Sequence, residues 1–164
     1  MKPFPYTIVP ETDDERFMLA ALKEAWKAYE KKEVPIGAVL VHDGRIISRG
    51  FNQVELLQDA TAHAEMLAIT AGAAAIGNWR LNETILYTTV EPCPMCAGAA
   101  ILSRVKKIIY GAPDIRQGAH GSWVNLFECE HPIHNVEIIG GIYSEVAGAM
   151  MKSFFVERRR EKGE

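Results

Sequence analysis

The chain is 164 residues long, room for one domain and none for a second full one, and its 48% hydrophobic and 24% charged residues exclude disordered, collagen-like and low-complexity classes. Eighteen basic against 21 acidic side chains leave a net charge of -3. That excludes a broadly polybasic surface but not a local basic patch on RNA, because counterion release depends on the phosphates actually touched. Three cysteines cannot pair completely, the first residues lack an apolar leader, and no apolar run is long enough to span a bilayer. A cytoplasmic protein with no membrane contact is expected.

In chain order, Asp13 to Lys32 predicts a first helix, capped by Asp13 or Asp14, with Met18, Leu22, Ala25 and Tyr29 at helical spacing and Pro35 as its stop. IGAVLVH and RIISRGF flank Asp43-Gly44 and predict an antiparallel hairpin. After the polar run Asn52 to Thr61, AHAEMLAITAGAAA predicts a second helix starting near Ala62 or His63, with Thr61 as its cap. TILYTTV predicts a buried strand ending at Glu91-Pro92, and Pro94 suits the first turn of a helix through Ser103. VKKIIYG follows as a fourth strand, so this strand-helix-strand order calls for a parallel pair in a mixed sheet. Residues 112 to 135 form a long connection, of the kind that often carries function. VEIIGG gives a fifth strand, and Tyr143 to Glu161 a last helix ending in Arg158, Arg159 and Arg160.

The chemistry concentrates in His63-Ala64-Glu65 and Pro92-Cys93-Pro94-Met95-Cys96. One imidazole and two thiolates suit zinc, and three protein ligands leave the fourth tetrahedral position open, as catalytic zinc sites do. Cys93 and Cys96, three apart at a helix start, point the same way. On one continuous helix His63 and Glu65 would diverge by about 200°, so they converge only if the helix begins there. Glu65 then stands beside the metal as a base. In this order the two motifs are the recognised signature of zinc-dependent base deaminases.

The sequence resembles the bacterial TadA-type tRNA-specific adenosine deaminases of the cytidine/deoxycytidylate deaminase superfamily. The resemblance runs through VPIGAVLV, GFN, TAHAE, NWRL, LYTTVEPCPMCAGA, IIYGAPD, GAHGS, HNVE and SFFVERRR. It implies a single deaminase domain over residues 1–164, with the cytidine-deaminase-like three-layer α/β/α sandwich and its five-stranded mixed sheet. It also implies one zinc per chain on His63, Cys93 and Cys96, and a homodimer that binds the anticodon stem-loop of a tRNA. The implied reaction is hydrolytic deamination of the wobble adenosine to inosine, releasing ammonia, with Glu65 carrying protons to adenine N1 and to the leaving amine. Asn52, Ala64, Asp114, Phe155, Arg158 and Arg159 would meet the substrate, Asp114 by accepting a ribose 2′-hydroxyl that DNA lacks. Two positions depart from the family: Ala60 replaces a proline, and His120 stands where a small residue is usual.

Other features carry two readings each. Asp114 fits a turn after Pro113 as well as an RNA contact. Adjacent on a helix, Phe154 and Phe155 cannot both face one core, so one is left for base stacking or for a dimer. Arg158 to Arg160 fit a solvated helix end or a phosphate site, to which Arg104, Lys106 and Lys107 could add. Cys129, His131 and His134 suggest a second metal site or a plain surface loop.

Overall fold

The structure is a computed structural model that describes residues 2–163. Helix α1 (Asp13–Glu30) begins at the expected residue, but its cap is Thr12 and not Asp13 or Asp14: the Glu15 N–H donates to Thr12 Oγ1 (3.2 Å) and the Glu15 carboxylate accepts from the Thr12 N–H (3.4 Å). It ends earlier than expected. Lys32 turns into the left-handed region (φ 63°) and the Glu33 N–H bonds back to the Ala28 carbonyl (3.0 Å), so the helix closes before Pro35 is reached.

Strands β1 (Gly37–His42) and β2 (Arg45–Phe51) form the expected hairpin, with Asp43 (φ 48°) and Gly44 (φ 70°) both left-handed. A one-turn helix α2 (Val54–Leu57), hidden in the polar run, precedes α3 (Ala64–Ile76). Strand β3 (Thr84–Val90), helix α4 (Pro94–Leu102) and strand β4 (Lys107–Ala112) make the crossover unit, followed by β5 (Glu137–Gly140) and α5 (Ser144–Lys162). Between β4 and β5 the described residues contain only an isolated bridge, His120 to Asn125.

The sheet order is β2-β1-β3-β4-β5, with β1 antiparallel to both neighbours and β3, β4 and β5 parallel. Side-chain alternation sorts its two faces. Val39, Val41, Tyr87 and Ile109 meet Phe17, Met18 and Ala21 of α1, and on the same face Gly111 lies against Ala147 of α5. On the other face Ala38, Leu40, Leu86 and Ile108 pack with Ala64, Ala68 and Ile69 of α3 and Ala100 of α4. This is the expected three-layer α/β/α sandwich. At Gly37 a Cβ would lie 2.1 Å from the Ala21 carbonyl oxygen, so α1 rests directly on the start of β1. That start, the end of β3 and the first turns of α3 and α4 share one end of the sheet.

Candidate metal centre and active site

His63 and Cys93 play the same structural part. Each is an extended N-cap residue (φ -72°, ψ 151° and φ -72°, ψ 169°), the first for α3 and the second for α4. Pro94 at the first helical position enforces the turn after Cys93. Thr61 does not cap α3 as expected, since its hydroxyl and N–H both donate to the Asp59 carboxylate (2.8 Å each). That Asx turn stiffens the approach to α3. With His63 outside the helix and Glu65 in its first turn, the two side chains converge.

His63 Nδ1 lies 3.6 Å from both Cys93 Sγ and Cys96 Sγ, and the three donor atoms all fall within 4.8 Å of one another. A tetrahedral zinc, with bonds of about 2.3 Å to sulfur and 2.0 Å to nitrogen, sets its ligand atoms roughly 3.5 Å apart, so the donor set fits in chemistry and in spacing. This is the only such cluster among the described residues. Without metal the Cys96 thiol donates to Cys93 and pulls the Cys93 pKa down to about 4, burial opposing and His63 assisting. The same hydrogen bond, with burial, pushes Cys96 upward. Hydrogen bonding to Cys93 raises His63 against the effect of its burial, with Glu65 and Asp114 contributing charge.

Glu65 is 3% exposed, and burial raises its pKa to about 6. Its Oε2 and the neighbouring Thr88 Oγ1 have no hydrogen-bond partner. A buried orphan carboxylate oxygen is costly unless a ligand, water or metal site uses it, and a pKa near neutrality suits a group that takes and returns protons.

Asn52 (4% exposed) and Ala64 are buried in the surrounding walls. Asp114 is half-buried in the loop after β4, where its Oδ1 accepts from the N–H groups of Arg116 (3.0 Å) and Gln117 (3.3 Å), so the turn role is present. Phe154 packs inward against Tyr29, while Phe155 is exposed. Phe155, Arg158 and Arg159 line one groove of 260 Å³ with Lys32, Val34, Glu55, Phe154 and Lys162. Arg158 also pairs with Glu161 (2.6 Å).

Two of the alternative readings fall away. Arg104, Lys106 and Lys107 do not join the α5 patch: they stand at the start of β4, and α5 packs at its end. There Lys106 pairs with Glu83 (2.6 Å), Lys107 with Glu137 (3.1 Å), and Arg104 lies over the Trp79 ring. Cys129, His131 and His134 form no metal site either. His131 Nδ1 accepts from the N–H groups of Ile133 and His134, and His134 Nε2 donates to the Val105 carbonyl, which leaves those nitrogens committed.

Glu33 and Glu91 are two further buried carboxylates that the sequence did not single out, one bonded to Asn52 and the other two residues ahead of Cys93. Glu33 accepts from Asn52 Nδ2 (3.2 Å) and the N–H groups of Glu55 (3.2 Å) and Leu56 (2.6 Å). The available signal was a charge beside a buried strand: Glu33 ahead of VPIGAVLV, Glu91 at the end of TILYTTV.

Residues 11–112 match the family described as the cytidine and deoxycytidylate deaminase zinc-binding region. A tRNA-specific adenosine deaminase of Bacillus subtilis (strain 168) is 50% identical over 151 residues, 92% of this chain and 94% of that protein. The chain belongs to this deaminase family. A solved chain from a study of A-to-I editing by tRNA:A34 deaminases at the wobble position aligns with a TM-score of 0.79 at 42% identity, covering 82% of this chain and 98% of its own length. The guanine deaminase from Bacillus subtilis aligns at 0.58 with 32% identity, covering 72% and 86%. The zinc-binding region of the deaminase family thus coincides with the part of the fold that gathers His63, Glu65, Cys93 and Cys96.

Proposed function

We propose that this chain is a zinc-dependent tRNA adenosine deaminase, a single catalytic domain over residues 1–164 that converts the wobble adenosine of an anticodon to inosine. The observation that carries it is the Glu65 carboxylate, buried beside a His/Cys/Cys set with zinc spacing. The similarity to tRNA-specific deaminases over nearly the full length supports the substrate.

In this reading His63, Cys93 and Cys96 hold the metal, and both cysteines bind as thiolates. Bound zinc supplies an activated water at neutral pH. Glu65 takes a proton from the attacking water and delivers it to adenine N1 as the C6–O bond forms; it then takes the second proton from that oxygen and gives it to the C6 amino group, so the C6–N bond breaks, ammonia leaves and the carboxylate is regenerated. Asn52 and Ala64 form part of the base pocket, and Asp114 faces the ribose. Phe155, Arg158 and Arg159 hold the flanking nucleotides, the ring by stacking and the guanidinium groups on phosphates. Such a pocket needs a splayed nucleotide, which a single-stranded anticodon loop provides.

A homodimer and a cytoplasmic location belong to the same reading. The exposed Leu102, Trp79 and Ile133, which line one groove, are apolar surface that a partner subunit would cover. No helix among the described residues is long and apolar enough to cross a membrane.

The deciding experiment incubates the zinc-loaded protein with bulk tRNA and maps inosine, with free guanine, cytosine, cytidine and adenosine assayed in parallel. Inosine at the wobble position, absent with Glu65→Ala, is expected. Turnover of a free base with none on tRNA would replace this reading by a nucleobase deaminase. RNA binding without turnover of any of these would replace it by a non-catalytic RNA-binding subunit.

A further inference from the structure

Glu65 and Glu91 are both buried carboxylates at the end of the sheet that carries the metal ligands, and they are opposites in hydrogen bonding. Glu65 has an unpartnered oxygen. Glu91 has two donors on each oxygen: His120 N–H (2.8 Å) and Ser122 N–H (3.3 Å) on Oε1, Asp114 N–H (3.0 Å) and the Ser122 hydroxyl on Oε2. A carboxylate offers about four acceptor sites, so Glu91 is saturated and has no lone pair left for a substrate proton. All four donors come from one segment, residues 114–122, which has no strand or helix partner of its own beyond a single bridge.

The backbone around Glu91 completes the clamp. Its N–H donates to the Ala112 carbonyl (2.8 Å), extending the β3–β4 pairing by one step, and the Pro92 carbonyl accepts from the Ala119 N–H (2.8 Å). Gly118 lies flat on the carboxylate: a Cβ there would sit 2.3 Å from Glu91 Cδ. Burial raises the Glu91 pKa, but the Ser122 hydroxyl and the three N–H groups lower it further, holding the carboxyl below its ordinary range. The negative charge is therefore held in place by the loop's own donors.

We infer that Glu91 is a positioning residue for substrate recognition: it fixes the 114–122 loop, and with it Asp114, against the helix that carries Cys93 and Cys96. Its effect falls on how the RNA loop is held rather than on proton transfer. The inference rests on the tRNA deaminase reading for its substrate and on the four hydrogen bonds alone for its mechanism. Replacing the carboxylate by an amide turns one acceptor into a donor that faces donors, which loosens a loop that gives four of its hydrogen bonds to this one group.

The test compares wild type with Glu91→Gln and with Ser122→Ala, which removes one donor and leaves the carboxylate in place. Each zinc-loaded protein is assayed for zinc content, for kcat and KM on an anticodon stem-loop, and for tryptic cleavage after the exposed Arg116, a readout that needs no substrate. Glu91→Gln should keep its zinc, cleave after Arg116 about tenfold faster or more, and raise KM by at least about tenfold, with kcat changed much less. Ser122→Ala should move the same two quantities in the same direction by a smaller factor, and it decides the matter if Glu91→Gln does not fold. Unchanged cleavage in the variants overturns the inference whether or not tRNA proves to be the substrate. So does a fall in kcat at constant KM, or a loss of zinc with the loop still protected, since either would tie Glu91 to the chemistry or to the metal. Faster cleavage in a protein that acts on no RNA would uphold the clamp and refute only the substrate.

Discussion

The Asn52 side-chain amide donates to the Glu33 carboxylate over 3.2 Å, and the two residues are 4% and 1% exposed. The same carboxylate accepts from two N–H groups at the start of α2, so the wall carrying Asn52 is tied to the segment between α1 and β1. An amide in place of the carboxylate would set a donor against donors. Glu33→Gln should therefore lose about 1–3 kcal/mol of stability, measured by urea unfolding of the zinc-loaded protein. Asn52→Ala removes one donor of the three and should lose less. Equal stability of Glu33→Gln and wild type would mean that the wall is held by other contacts.

Metal content is the most direct check on the ligand set. Cys93→Ala and Cys96→Ala should each bind zinc much more weakly than wild type, because a two-ligand remnant cannot close a tetrahedral site. Metal analysis after dialysis reads this out, and undiminished zinc in both variants would move the metal elsewhere.

Glu65 makes two separable predictions. Glu65→Gln should retain zinc but lose turnover by about 10²- to 10⁴-fold, the range of a positioned acid-base group. The second concerns stability in the metal-free chain. Burial raises the Glu65 pKa from 4.5 to about 6, so the folded state favours the neutral acid. Its contribution is fully present below the unfolded value and is lost as pH rises through the folded one. Relative to wild type, metal-free Glu65→Gln should gain stability between about pH 4.5 and 6, by on the order of 2 kcal/mol at most. A flat difference between the two proteins across that window would reject a raised pKa.

What could be read from the sequence was whatever local geometry enforces. Asp43-Gly44 demands a hairpin because both residues must enter the left-handed region, and they do. The convergence of His63 and Glu65 follows from helical pitch alone, since a common helix would separate them, and His63 is accordingly the N-cap. Glu33 and Glu91 were not legible, because their partners lie 19 to 31 residues away and are mostly backbone N–H groups with no sequence identity. Arg104, Lys106 and Lys107 misled for a related reason. They follow the cysteine helix closely in sequence, but a crossover helix must return the chain to the start of the next parallel strand, which is the end of the sheet remote from the metal ligands.

The groove beside α5 separates an RNA contact from a helix-end role. Arg159 and Lys162 lie in the last turn of α5, where positive charge also favours the helix dipole, and Arg158 is partly engaged by Glu161. Arg159→Gln should therefore weaken stem-loop binding more than Arg158→Gln. For every phosphate no longer neutralised, the salt dependence should flatten by about 0.7 log units per log unit of salt. A lowered melting temperature with an unchanged slope would assign these arginines to the helix end instead.

Asp114 carries both of its readings in the structure, and they can be separated by one substitution. Its Oδ1 supports the turn by accepting from Arg116 and Gln117, and an asparagine oxygen accepts in the same way. Asp114→Asn should therefore leave the melting temperature and the tryptic pattern unchanged. Its charge is a different matter: a carboxylate facing a polyanion repels it unless it gains a specific hydrogen bond, and a ribose 2′-hydroxyl is the donor that separates RNA from DNA. Removing the charge relieves repulsion for both nucleic acids but weakens the compensating hydrogen bond only for RNA. Activity measured on matched RNA and DNA hairpins, each with adenine in the loop, should show a narrower RNA preference for Asp114→Asn than for wild type. An unchanged ratio would leave Asp114 with the turn alone.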